Sequence, residues 1–120
     1  MGAQEREQTK TTSQVEVIGR LGARNQTREL PSGDVITTFT VIVDRPPTRG
    51  SSETKSGSRV DAIACVSARA RVREAIQRWE PGTMVKIDGT LRRRFWRSSG
   101  GLGSAMDVDV RVMRRVREES

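Results

Sequence analysis

The sequence predicts an all-β domain with one short helix, its five strands closing into a barrel. Three observations predict it. Apolar residues alternate with a period of two in five separate stretches, the spacing of strands with one face buried. One stretch alone carries a helical period. Glycine, proline, serine and aspartate cluster at the junctions, where a chain that turns back on itself needs them. At 120 residues there is room for one domain, and no internal repeat divides it.

The elements follow in order. Residues 1–12 (MGAQEREQTKTT) have no apolar periodicity and are expected to form a disordered tail. Val15, Val17, Gly19 and Leu21 share one parity of a first strand, which Gly19 and Gly22 are expected to bend or bulge. Pro31-Ser32-Gly33-Asp34 is a turn signal. From Val35 to Asp44, Phe39, Val41 and Val43 lie on one face and Thr38, Thr40 and Ile42 on the other. Residues 45–58 (RPPTRGSSETKSGS) lack large apolar side chains and read as a long exposed loop.

Arg59 to Ser67 reads as the third strand. Val72, Ala75, Ile76 and Trp79 recur at i, i+3, i+4 and i+7, an amphipathic helix that Glu80-Pro81-Gly82 stops. Met84 to about Trp96 is the fourth strand, with Val85, Ile87, Gly89 and Leu91 alternating. Ser98 to Ser104 (SSGGLGS) is expected to be a flexible hairpin loop. Ala105 to Met113 is the fifth strand, where Met106, Val108, Val110 and Val112 alternate with Asp107, Asp109 and Arg111. Three strands, a helix and two strands is the layout of the oligonucleotide-binding (OB) barrel. It is expected to span residues 13–115, leaving 116–120 as a short polar tail.

Composition narrows the chemistry. The chain has no histidine, which removes a Ser-His triad, a histidine base and His-containing metal sites. Its single cysteine, Cys65, allows no intrachain disulfide and suits a reducing cytoplasm. No apolar run approaches the ~18–20 residues of a membrane span, and the polar start has no signal-peptide core. No phosphate loop, dinucleotide fingerprint or zinc spacing appears, so neither enzymatic activity nor a metal or other cofactor is expected. The chain carries 22 Lys plus Arg against 15 Asp plus Glu, a net +7, and Lys10, Lys55 and Lys86 are its only lysines. An excess of arginine, whose planar fork fits phosphate and stacks on bases, points to a polyanionic partner.

The cluster best suited to one is Arg92, Arg93, Arg94, Phe95, Trp96 and Arg97. Alternation puts Arg92, Arg94 and Trp96 on one strand face and Leu91, Arg93 and Phe95 on the other. Two guanidinium groups and an indole in a row supply charge for phosphates and a flat surface for a base. Arg69, Arg71 and Arg73 on the helix offer a further basic face. Trp79 and Phe39 are expected in the core, as is Cys65, a small buried hydrophobe. Asp107 and Asp109 have the spacing to hold a divalent cation, but carboxylates alternating on a barrel exterior are expected to pair with neighbouring arginines.

Val17-Ile18-Gly19-Arg20-Leu21-Gly22, Arg28-Glu29-Leu30-Pro31-Ser32-Gly33, Phe39-Thr40-Val41 and the run from Pro81-Gly82-Thr83 to Arg92-Arg93-Arg94 resemble, in order and spacing, the bacterial single-stranded DNA-binding proteins. The resemblance spans about Ser13 to Arg115 and marks a divergent or accessory member. The family's third strand carries two base-stacking aromatics whose positions fall at about Ala62 and Ala68, and the chain has no tyrosine. Many members also end in an acidic tail that recruits replication and repair proteins; this sequence ends Val116-Arg117-Glu118-Glu119-Ser120.

The resemblance implies sequence-independent binding and protection of single-stranded DNA in replication, repair or recombination. It further implies a homotetramer or dimer of dimers in the cytoplasm, with the nucleoid. Arg20, Arg24 and Arg28 would border the strand-tracking groove, while Arg45, Arg49, Lys55 and Arg59 flank the long loop, which would either close over a bound strand or stay disordered when free. Arg92, Arg94, Trp96 and Arg97 would complete the DNA contacts. The alternative is a barrel that has lost its DNA platform and serves oligomerisation or protein interaction; RNA or duplex binding is a third possibility.

Overall fold

The chain is described by a computed structural model over residues 10–46 and 59–117. The period-two segments become β1 (Gln14–Glu29), β2 (Val35–Arg45), β3 (Arg59–Ser67), β4 (Met84–Ser98) and β5 (Gly101–Arg115), with one helix, α1 (Ala70–Arg78), between β3 and β4. They close into a barrel of order β1-β2-β3-β5-β4, in which β4 returns to pair with β1. All neighbours are antiparallel except β3 and β5, joined by a short parallel register at Cys65–Val108 and Val66–Asp109. This is the predicted OB barrel. The tail expected over 1–12 lies outside the described residues up to position 9, as do residues 118–120 and most of the predicted loop, at 47–58.

One parity of every strand fills the barrel. Leu21, Phe39, Val41, Cys65, Val85, Ile87, Val108 and Val110 are buried, and Val72 and Ile76 of α1 join them from one end. Trp79 packs against this core as the residue that ends α1, its N–H donating to the Ala75 carbonyl at 2.8 Å. The buried Ser67 hydroxyl donates to the Val110 carbonyl at 2.7 Å and accepts the Arg69 N–H, tying the end of β3 to β5 where α1 begins. No buried side-chain polar atom among the described residues lacks a partner, as a closed, dry core requires.

The predicted bend in β1 is a bulge, with the β1–β2 register shifting between Leu21 and Asn25. Arg24 sits within it. The first turn closes as expected, the Leu30 N–H donating to the Asp34 carbonyl and the Gly33 N–H to the Leu30 carbonyl, both at 2.8 Å.

Two expectations require correction, both in the last hairpin. The segment 98–104 is not a loop: Ser98 pairs with Gly101 across a two-residue turn, and β5 starts at Gly101. Ser99 and Gly100 make the turn where seven loop residues were expected, and Gly101, which opens β5, takes φ +119°, a conformation L side chains rarely adopt. The alternation in β5 also does not hold throughout. A register shift at Asp88–Gly89 sets Val110 opposite Gly89 but Val112 opposite Asp88, leaving Arg111 as the extra residue. Past it the faces invert: Val112 turns outward and Met113 packs on the core.

Candidate nucleic-acid interface

β4 and β5 outrun the rest of the barrel, and their distal halves form a two-stranded ribbon with both faces open to solvent. Alternation gives each face a different character. On the first, Arg92, Arg94 and Trp96 stand opposite Asp107, Ala105 and Gly103. Trp96 lies across Gly103, where an added Cβ would fall 2.6–2.7 Å from three indole atoms, so a side chain at that position would have to displace the ring. The Arg94 guanidinium lies 5.5 Å from the Trp96 ring centre, within cation–π range. Its Nε donates to Asp107 Oδ2 at 2.8 Å, and that carboxylate is only 8% exposed. Arg92 reaches Asp109 at 3.4 Å. The expected pairing of both carboxylates with arginines is thus present, and it neutralises this face. No group of acidic, cysteine or histidine side chains among the described residues has a metal-holding geometry.

On the second face, Arg93, Phe95 and Arg97 stand opposite Met106, Ser104 and Leu102. This parity faces the core lower in the barrel, at Ile87 and Val108, and continues beyond it into solvent. Phe95 is 67% exposed and Leu102 72%, with Leu91 and Met106 also exposed. The Arg93 guanidinium lies 6.0 Å from the Phe95 ring centre and 3.4 Å from the Ser104 hydroxyl. Arg97 therefore does not share a face with Trp96. Asp107 is the only carboxylate between Leu91 and Val108, and it belongs to the first face.

The other predicted arginines are spread over the sheet. Arg20, opposite Ile42, forks onto Asp44 at 3.0 and 3.2 Å. That hydrogen-bonded fork, and then its charge, hold the Asp44 carboxyl below its ordinary value. Arg28 stands opposite Ile36, and Arg24, Asn25 and Gln26 line a shallow groove with Thr38, Thr40 and Ala64. Arg59 pairs in register with Arg45, whose guanidinium binds Asp61 at 2.6 Å and lowers that carboxyl in turn. Because β3 and β5 run parallel, Arg59 and the β4–β5 turn project from the same end of the barrel. Arg24, Arg28, Arg59 and Arg97 form no ion pair among the described residues, whereas Arg20, Arg92 and Arg94 do. Arg49 and Lys55 lie outside those residues.

The aromatic-poor third strand is visible in the same sheet. Ala62 is exposed opposite Ile42, and Ala68 is exposed just past the end of β3, so neither position presents a ring. Cys65 is buried opposite Phe39, and burial pushes its thiol up to about 12, with the Asp107 charge adding to the shift. It is a core residue, as expected. Sequence reasoning passed over Leu102, Met106 and Gly103, placed in or beside a supposed loop. Extending the β4 parity across that segment is the signal that exposes them.

Residues 12–116 match the model of the single-strand binding protein family. The chain belongs to that family. Single-stranded DNA-binding protein A of Bacillus subtilis is 29% identical over 89 residues, covering 74% of this chain and 49% of that protein. Single-stranded DNA-binding protein 2 of Listeria innocua is 30% identical over 89 residues, covering 74% and 54% respectively. The chain thus spans about half the length of the curated relatives it matches. The Plasmodium falciparum SSB, solved in complex with ssDNA, superposes with a TM-score of 0.74 over 92% of this chain and 99% of that one, at 17% identity, a likeness of fold. The family is one of binding proteins, not of enzymes. No helix among the described residues is long and apolar enough to cross a membrane.

Proposed function

We propose that the protein binds single-stranded DNA without regard to sequence and shields it during replication, repair or recombination. The observation that carries this reading is the family match over 12–116, laid on a barrel whose long hairpin bears an arginine–aromatic stack on each face. Guanidinium groups at Arg24, Arg28, Arg59 and Arg97, unpaired among the described residues, would meet phosphates and release counterions. Arg94 and Trp96, held together as a stack, would offer a planar surface to a base. Arg20 and Arg92 would contribute by exchanging a carboxylate for a phosphate. Association into a homotetramer or dimer of dimers, a place in the cytoplasm with the nucleoid, and contacts with replication or repair proteins belong to the same proposal.

The test is anisotropy of a labelled oligo-dT against a duplex and an RNA of equal length. The reading expects the single-stranded DNA to bind tightest, and equal affinity for the duplex would contradict it. A second reading is favoured by Ala62 and Ala68, which leave the β1–β3 face without rings: a barrel kept for oligomerisation or protein interaction, with weak or no DNA binding. Trp96→Ala separates the two. It should weaken DNA binding under the first reading and leave it unchanged under the second.

A further inference from the structure

The two faces of the β4–β5 ribbon are unequal as surfaces for a polyanion. Every guanidinium on the Trp96 face has a carboxylate partner, Arg92 with Asp109 and Arg94 with Asp107. The Trp96 ring on that face lies against Gly103 and within 5.5 Å of the Arg94 guanidinium, and is 44% exposed against 67% for Phe95. The opposite face carries Arg93 and Arg97, which have no carboxylate partner among the described residues, and Phe95 at 67% exposure. A phosphate approaching the Trp96 face must compete with two ion pairs; on the Phe95 face it meets only the neutral Ser104 hydroxyl as a competitor for Arg93 among the described residues.

We infer that Phe95, Arg93 and Arg97 form a single-strand contact of their own. A base stacks on the Phe95 ring, flanked by Leu102 and Met106, while phosphates engage Arg93 and Arg97. The inference rests on the single-strand reading of the protein and assigns its main hairpin contact to the face opposite Trp96. The occupant follows from charge and shape together. An exposed ring beside guanidinium groups that have no carboxylate partner among the described residues fits a chain that alternates planar bases with phosphates. A second copy docked on the same face by a two-fold axis would bring four arginines together without a carboxylate, an arrangement that like charge opposes.

The test uses the full chain, with oligo-dT anisotropy at several salt concentrations and the molar mass in solution followed by light scattering. Phe95→Ala should weaken binding about 5- to 150-fold, the range of one lost stacking platform, at unchanged mass. Arg93→Gln with Arg97→Gln should flatten the log-affinity against log-salt slope by about 1.4, two phosphate contacts' worth on a single strand. All three side chains are exposed, so circular dichroism should show both variants folded. If wild type binds and both variants match it in affinity and slope, the inference is overturned. It is also overturned if Phe95→Ala lowers the molar mass, because the face is then a subunit contact. Failure of wild type itself to bind oligo-dT marks a different fault, in the single-strand reading.

Discussion

At Asp107 a carboxylate that is almost fully buried holds Arg94, and Arg94 in turn covers the Trp96 ring. The guanidinium is charge-matched before any DNA arrives, so it adds less to binding than its sequence position suggests. Asp107→Asn keeps the shape and removes the charge. It should tighten oligo-dT binding and steepen the salt slope by about 0.7, one added phosphate contact; an unchanged slope would show that Arg94 never meets the strand. Cys65 allows a second residue-scale test. Burial raises its thiol from an ordinary value of 9.0 to about 12, so folding favours the neutral form. The sign follows: the contribution is complete below pH 9 and is lost as pH rises towards 12. Native protein at pH 8 should therefore resist thiol reagents, while protein in denaturant reacts at once; rapid labelling of the native form would place Cys65 outside the core.

At the scale of elements, burial by parity explains what was legible and what was not. β3 runs from Arg59 to Ser67 as the alternation predicts, and the buried positions of α1 match its 3.6-residue period. Both signals work because one face of each element must meet the same core. The last hairpin defeats that logic in two places. From Gly101 to Ser104 the ribbon stands clear of the barrel, so burial imposes no apolar alternation, and glycine composition alone suggests a loop. The compensation is non-local: the Trp96 ring covers Gly103 from the partner strand. At Arg111 a single extra residue swaps the faces, so Val112 looks outward despite an apolar pattern that continues through it. Ile87, fully buried in β4 between β1 and β5, is where the sheet closes. Ile87→Ala should cost about 2–5 kcal/mol of unfolding free energy, measured by urea denaturation. The exposed Val112→Ala should cost a small fraction of that.

Over the whole molecule, a net charge of +7 overstates the surface available to a strand. Five cations are engaged in described ion pairs, including Arg20, Arg92 and Arg94, three of the residues that the sequence singles out. Which positive charges pair depends on cross-strand register, and register is not written in any one segment. Phe39 and Cys65 lie 26 positions apart yet sit side by side. The family was legible because its motifs are local strings at bends and strand starts; the division of the hairpin into a neutral face and a basic one was not, because it requires β4 and β5 aligned residue against residue.

The central claim is that this barrel holds single strands chiefly through the arginines left without carboxylate partners. The most direct measurement is a salt titration of oligo-dT affinity for the wild-type chain. The account predicts a linear fall of log affinity with log salt, its slope between about −2 and −4, since each phosphate neutralised on a single strand contributes about −0.7 and three to six arginines take part. An affinity indifferent to salt, or no binding at micromolar protein in low salt, would contradict it.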